Sequence, residues 1–286
     1  MKLIKYFFQF LFIIFFFSLF KFFGFKISSK IGGKLFEIIG PIFRSKKLIH
    51  SNIKKAFPEI NSDEIKKLTK LMWNNYGRVF SEYMFIKDFR FGKIDSKIDI
   101  IGKDILDEIK KSNKPVVFIS GHFSNFELMA MQIEKVGIEL SAIYRPLNNI
   151  FLNRVIEKIR KKYICKNQIK KGIAGTRELI KFQRYNYSTA LMIDQRVSEG
   201  ERVNFFNQEA YTTTIPAQLA KKFDMPIVPI FIERVNVTDF KIKISKPLNF
   251  LKSDSIIDIT SKLNFILEDM ILKNPGQWIW SHNRWK

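Results

Sequence analysis

The residue types in this 286-residue chain best suited to acid–base chemistry are a histidine and a glutamate five positions apart, His122 and Glu127. They lie in Val116-Val-Phe-Ile-Ser-Gly-His-Phe-Ser-Asn-Phe-Glu-Leu128, where an apolar run ends at Ser120-Gly121 and the histidine follows at once. In α/β proteins, side chains that do chemistry stand at the carboxyl ends of such strands. Imidazole, with an ordinary pKa of about 6.5, can take the proton of a hydroxyl. A carboxylate beside it fixes the tautomer and stabilises the imidazolium. On one continuous helix the two residues would stand about 140° apart. They meet only if His122 is on the loop and Glu127 in the first turn of the following helix. Ser124-x-x-Glu127 reads as a capping box that would place such a break. The same box offers a purely structural alternative, in which Glu127 caps the helix and His122 bonds a backbone carbonyl. Spacing alone leaves both open.

The elements that must position these residues follow from periodicity. Val116–Ile119 is a short, fully apolar run of the kind buried in a parallel sheet, and 140–144, 190–193 and 227–232 repeat it. Phe240-Lys-Ile-Lys-Ile-Ser alternates, which suits an exposed or edge strand. Helical spacing covers 150–162 and 175–184, and a helix or two begins at Ser62. Strand alternating with helix implies an α/β fold, a largely parallel central sheet flanked by helices, and nothing splits residues 60–286.

The amino terminus differs in kind. Residues 6–20 read YFFQFLFIIFFFSLF between Lys5 and Lys21, which predicts a hydrophobic membrane-anchor helix over 1–25. No small-x-small cleavage site follows, so a removed signal peptide fits less well. Residues 26–56 carry eight lysines and arginines among apolar residues. They read as a basic membrane-proximal segment or as an amphipathic helix over the core. The catalytic unit is then 26–286.

Charge and cysteine usage narrow the classes. Forty-nine basic against 27 acidic residues give a net charge of +22, which calls for an anionic partner. Lysines outnumber arginines 37 to 12 beside 30 phenylalanines, a bias an AT-rich genome also produces. A nucleic-acid partner is not expected, because the aromatics concentrate in the anchor and strand runs rather than along a basic face. One cysteine, Cys165, excludes an internal disulfide. With three histidines, His50, His122 and His282, it argues against a closed metal site.

His122-x4-Glu127 within Val116–Leu128 resembles the first motif of the lysophospholipid acyltransferase-like superfamily. It is most similar to the bacterial lipid A biosynthesis (lauroyl/myristoyl) acyltransferases. Further blocks agree in order: Ser51-Asn52 with Ala56–Glu59, Trp73–Glu82, Tyr144–Arg160, Asp194-Gln195 through Thr212, and Asn274–Arg284. Asn153, Asn207 and Asn283 depart from the usual residues. The resemblance implies transfer of a fatty acyl group from a thioester to a hydroxyl of a lipid A precursor or similar phosphorylated glycolipid. The donor would be acyl carrier protein or acyl-CoA, with no cofactor and no metal. The place would be the cytoplasmic face of a bacterial inner membrane. A lysophospholipid or other glycolipid acceptor is the alternative. His122 becomes the general base with Glu127 as its partner, and Cys165 a bystander. Asn125, Arg145, Arg160 and Asp194 are the substrate-binding candidates. The two arginines suit phosphate, and Asp194 also suits a structural ion pair with one of them. Oxyanion donors would be backbone N–H groups at the helix start or Arg160. Trp278, Trp280 and Trp285 read as core or interface aromatics, and His282 as a packed, hydrogen-bonded residue.

Overall fold

Valine, phenylalanine and isoleucine at 117–119 have no polar face, so this strand needs sheet on both sides and helices above and below. A computed structural model describes residues 1–286, apart from the side chain of Ile173. Among the described residues the strands are β1 (Ile98–Ile101), β2 (Val117–Ser120), β3 (Leu140–Tyr144), β4 (Asn167–Lys170) and β5 (Ser188–Met192). They continue with β6 (Glu201–Phe205), β7 (Gln208–Thr212), β8 (Ile227–Arg234) and β9 (Phe240–Ile244). Seven of them form one sheet in the order β1-β9-β8-β2-β5-β3-β4, while β6 and β7 pair as a separate hairpin. Within the large sheet every pairing is parallel except β8 with β9.

The chain enters through α1 (Lys2–Phe23), α2 (Phe25–Phe43), α3 (Lys46–Ala56), α4 (Ser62–Glu82) and the short α5 (Ile86–Arg90). Later come α6 (Lys103–Ser112), α7 (Glu127–Lys135), α8 (Ile150–Tyr163), α9 (Ile173–Gln183), α10 (Ile215–Phe223) and α11 (Ile256–Lys273). The four apolar runs became β2, β3, β5 and β8. The alternating run became β9, but it is not an edge strand: it lies between β1 and β8. Phe240, Ile242 and Ile244 are buried and Lys243 is exposed, so alternation here reports one covered face rather than a free edge. The true edges are β1 and β4. Asn167-Gln-Ile-Lys170 is too short and polar to announce itself as a strand.

α1 carries its apolar surface all round. Phe17 and Phe20 are buried, Phe17 against Phe80 of α4, and Phe7 meets Phe151 of α8 edge-on. Lys21 pairs with Asp88 at 2.5 Å, and Asn149 Nδ2 donates to the Tyr6 carbonyl at 2.8 Å. The opposite side leaves Ile4, Phe8, Phe12, Phe15 and Phe22 bare. Gly24, at φ 75°, makes the turn into α2 without steric cost. α2 then lies against α4 so closely that a Cβ on Gly77 would collide with the Gly32 carbonyl. Small residues at this crossing permit the approach, and Trp73 fills the space above Gly40.

Candidate active site

Parallel pairing in register brings two strand ends together. Ser120 of β2 stands opposite Met192 of β5, and the Ile193 N–H donates to the Ser120 carbonyl at 2.9 Å. Two residues beyond each strand are therefore neighbours: His122 and Asp194. His122 Nδ1 lies 2.8 Å from Asp194 Oδ1, and Asp194 Oδ2 accepts the backbone N–H of His122 at 2.8 Å. The same oxygen accepts the indole N–H of Trp278 at 2.9 Å. The Asp194 side chain is wholly buried, whereas His122 keeps 23% of its side chain exposed. Burial alone would raise the Asp194 pKa, but the facing imidazole and the three hydrogen bonds outweigh it and hold the carboxyl below its ordinary 3.8. A charged Asp194 fixes Nδ1 as the protonated nitrogen, which leaves Nε2 with a free lone pair. Phe126 packs edge-on against the ring, 4.8 Å between centroids, and limits its rotation.

Glu127 is placed elsewhere. It begins α7, and its Oε1 accepts Nε and Nη2 of Arg160 from α8 at 2.8 and 2.5 Å. The Tyr83 hydroxyl donates to the same oxygen at 3.4 Å. Burial works against charge on Arg160, but Glu127 and Tyr83 more than offset it and raise its pKa. Burial and the neighbouring carboxylate push the Tyr83 phenol well above its ordinary range, so it stays a donor. Direct pairing of Glu127 with His122 is thus replaced by Asp194 on His122 and Arg160 on Glu127. The reason is geometric. Asp194 arrives from an adjacent strand in register, while Glu127 turns toward α8.

The capping box is not formed either. Phe126 is the cap residue of α7 without a side-chain hydrogen bond, and Ser124, at φ 42°, has a buried hydroxyl with no partner. The loop is held instead by the Ser124 N–H donating to the Gln277 carbonyl at 3.0 Å.

Two other candidates change role. Asn125 is fully buried, and its Nδ2 donates to Glu82 at 3.1 Å. Glu82 in turn forms a buried ion pair with Arg234 at 2.7 Å and accepts from Ser29. Asn125 therefore ties the loop to the interior and cannot touch substrate as placed. Asp194, expected among the substrate contacts, is buried beneath His122 and pairs with neither arginine. Arg145 is exposed just after β3, on the same carboxyl edge of the sheet as His122. Arg160 is 16% exposed and is held to Glu127 through Nε and Nη2.

Trp278 and Tyr83 also belong to the site, and both adjoin or lie within motif blocks legible in the sequence. The closing segment crosses this edge of the sheet. Asn52 Nδ2 donates to the Trp280 and His282 carbonyls at 2.8 and 2.7 Å, which explains the Ser51-Asn52 block. His282 Nε2 accepts the Arg196 N–H at 3.0 Å, as a packed residue should. Burial first, and nearby positive charge, lower its pKa to about 4 although Asp194 opposes them. Cys165 is buried, which pushes its thiol up to about 12.

Comparison with known proteins bears on this arrangement. The profile of a family described as bacterial lipid A biosynthesis acyltransferase matches residues 1–286. Lipid A biosynthesis myristoyltransferase of Escherichia coli (strain K12) is 22% identical over 253 residues, covering 87% of this chain and 76% of that protein. Lipid A biosynthesis lauroyltransferase of the same strain is 22% identical over 247 residues, covering 85% and 79%. Among solved structures, the 1-acyl-sn-glycerophosphate (LPA) acyltransferase PlsC from Thermotoga maritima aligns over 87% of this chain and 98% of its own, at 13% identity and a TM-score of 0.43.

Proposed function

The chain belongs to the bacterial lipid A biosynthesis acyltransferase family, and from that premise we propose a membrane-associated O-acyltransferase with His122 as general base and Asp194 as its orienting carboxylate. It moves a fatty acyl group from acyl carrier protein or acyl-CoA to a hydroxyl of a lipid A precursor or similar phosphorylated glycolipid. The observation that carries this reading is the 2.8 Å contact of His122 Nδ1 with the buried Asp194, at the carboxyl end of two parallel strands.

The chemistry follows from that contact. Nε2 accepts the proton of the acceptor hydroxyl as its oxygen attacks the thioester carbonyl. The carbonyl carbon gains a C–O bond, and its oxygen carries the negative charge until the C–S bond breaks. The imidazolium then returns the proton to the leaving thiolate. Asp194 stabilises the imidazolium without taking its proton, as the carboxylate does in a Ser-His-Asp triad. N–H groups in the first turn of α7, or Arg160, supply the oxyanion donors. Arg160 and Arg145 suit phosphate on the acceptor or the donor. Glu127 holds Arg160 by two of its nitrogens and so aims the third. The bare phenylalanines and isoleucines of α1 support contact with the bilayer that holds the acceptor. A site on the cytoplasmic side of the inner membrane follows from the donor, because acyl carrier protein and acyl-CoA are cytoplasmic.

The test is reconstitution in detergent micelles with lauroyl–acyl carrier protein, lauroyl-CoA and a lipid A precursor, the products read by mass spectrometry. His122→Ala should lose at least about a hundredfold in turnover. Failure of the wild-type protein to acylate the precursor from either donor would refute the assignment.

A further inference from the structure

The positive charge of this protein is not spread evenly. Residues 145–184 hold twelve lysines and arginines against two acidic residues, so 40 residues carry nearly half of the net +22. Compositional drift toward lysine does not produce this, because five of the chain's 12 arginines fall in the same stretch. These residues build one end of the molecule: α8, the edge strand β4 and α9. Arg154, Lys158 and Lys162 of α8, Lys170 of β4, and Arg177 and Lys181 of α9 are all exposed. Among the described residues Lys161 is the one exposed member with an acidic partner, Glu157 at 3.0 Å. Complementing the helix dipole explains basic residues in the last turn of α8, but not Arg154, Lys170 or Arg177.

Topology says which partner this surface fits. The chain moves outward from β3 to β4 through α8 and back past β3 to β5 through α9. Right-handed crossovers in opposite directions put the two helices on opposite faces of the sheet. α8 shares its face with α1, which it touches through Phe151, while α9 lies on the far face. A flat bilayer seated on the bare side of α1 reaches the α8 side and not α9. The basic surface, by contrast, continues around the sheet edge onto α9.

We propose that this edge, formed by α8, β4 and α9, docks a soluble acidic protein that presents the acyl thioester. The proposal rests on the acyl-transfer reading above. α8 links the two functions, for Arg160 on its inner side meets Glu127 at the site while its outer side carries the basic surface. Charge on an interface rim acts mainly on encounter, so the effect belongs in KM for the protein-borne donor and in its salt dependence.

The experiment uses the full chain in micelles and two charge-reversed variants, Lys158→Glu/Lys162→Glu on α8 and Arg177→Glu/Lys181→Glu on α9. Each is assayed with lauroyl–acyl carrier protein and with lauroyl-CoA, and melting temperature is checked. Fluorescence anisotropy measures binding of labelled acyl carrier protein, and flotation measures binding to phosphatidylglycerol vesicles. Both variants should raise KM for the protein-borne donor about tenfold or more, weaken carrier binding in parallel, and leave kcat with acyl-CoA unchanged. Carrier binding unaltered in the α9 variant would overturn the proposal. So would loss of vesicle binding in the α8 variant with unchanged carrier binding, which would assign the surface to lipid. If the wild-type protein transfers acyl groups from neither donor, the catalytic reading fails. Carrier binding that depends on the α9 residues would then still support the docking surface, and its absence would overturn that too.

Discussion

Replacing Asp194 by asparagine isolates the contact on which the catalytic reading depends. Asp194 accepts three hydrogen bonds, from the His122 ring on one oxygen and from the His122 backbone and Trp278 on the other. An asparagine can satisfy the last two donors with its amide oxygen only by turning its NH₂ toward His122 Nδ1. That nitrogen must then accept, which drives the proton to Nε2 and removes the base. The opposite flip sets the NH₂ against two N–H donors in a site with no exposed surface. In a serine-protease triad the equivalent change costs about 10⁴ in kcat through the same tautomer switch. General-base contributions set the expected range here at about 10²–10⁴. One charge-assisted hydrogen bond is lost, about 1.5–3 kcal/mol, so the fold should survive with a melting point a few degrees lower. Turnover is measured with lauroyl–acyl carrier protein and a lipid A precursor. The tautomer is read from ¹⁵N chemical shifts of the three histidines, with His122→Gln to assign the signal. An Asp194→Asn enzyme within threefold of wild type, or one whose His122 keeps its proton on Nδ1, would refute the reasoning.

Glu127→Gln should act through Arg160: kcat/KM falls, but the His122 tautomer is unchanged, and a switched tautomer would restore Glu127 as the direct partner. Gly77→Ala should lower the melting temperature by an amount equivalent to about 1–3 kcal/mol, because its methyl group meets the Gly32 backbone; an unchanged melting curve would show that the two helices do not pack as described. Removing residues 1–24 should leave an α/β core whose urea midpoint is lowered, since Phe80 and Phe151 lose aromatic neighbours and Phe85 loses the Lys21 ammonium over its ring; equal stability would show α1 to be undocked. His282, with a folded pKa of about 4 against 6.5 unfolded, binds its proton more readily when unfolded, so its contribution is present above pH 6.5 and is lost as pH falls toward 4. Solvent screening of the partly exposed ring keeps the loss below about 3 kcal/mol, and denaturation midpoints across that range should flatten in His282→Gln.

Much of this protein is legible locally. A short apolar run of four to six residues without a polar face reads as a buried strand, and β2, β3, β5 and β8 stand at such runs. The phenylalanine run of α1, lacking any polar side, announces a helix that water does not surround. A glycine followed by histidine after a buried strand marks the loop that carries the base. The residue that fixes the base is another matter. Asp194 lies 72 residues from His122, and nothing in either neighbourhood names the other. They meet because β5 pairs with β2 in a register that sets Ser120 opposite Met192, although β3 and β4 intervene in the chain. Glu127, the nearer carboxylate in sequence, goes to Arg160 because α8 returns over the same face of the sheet. Side-chain type and local period are properties of a few adjacent residues, so sequence alone determines them. Which strand lies beside which is decided by the joint burial of all seven, and only the folded sheet determines which acid the base receives.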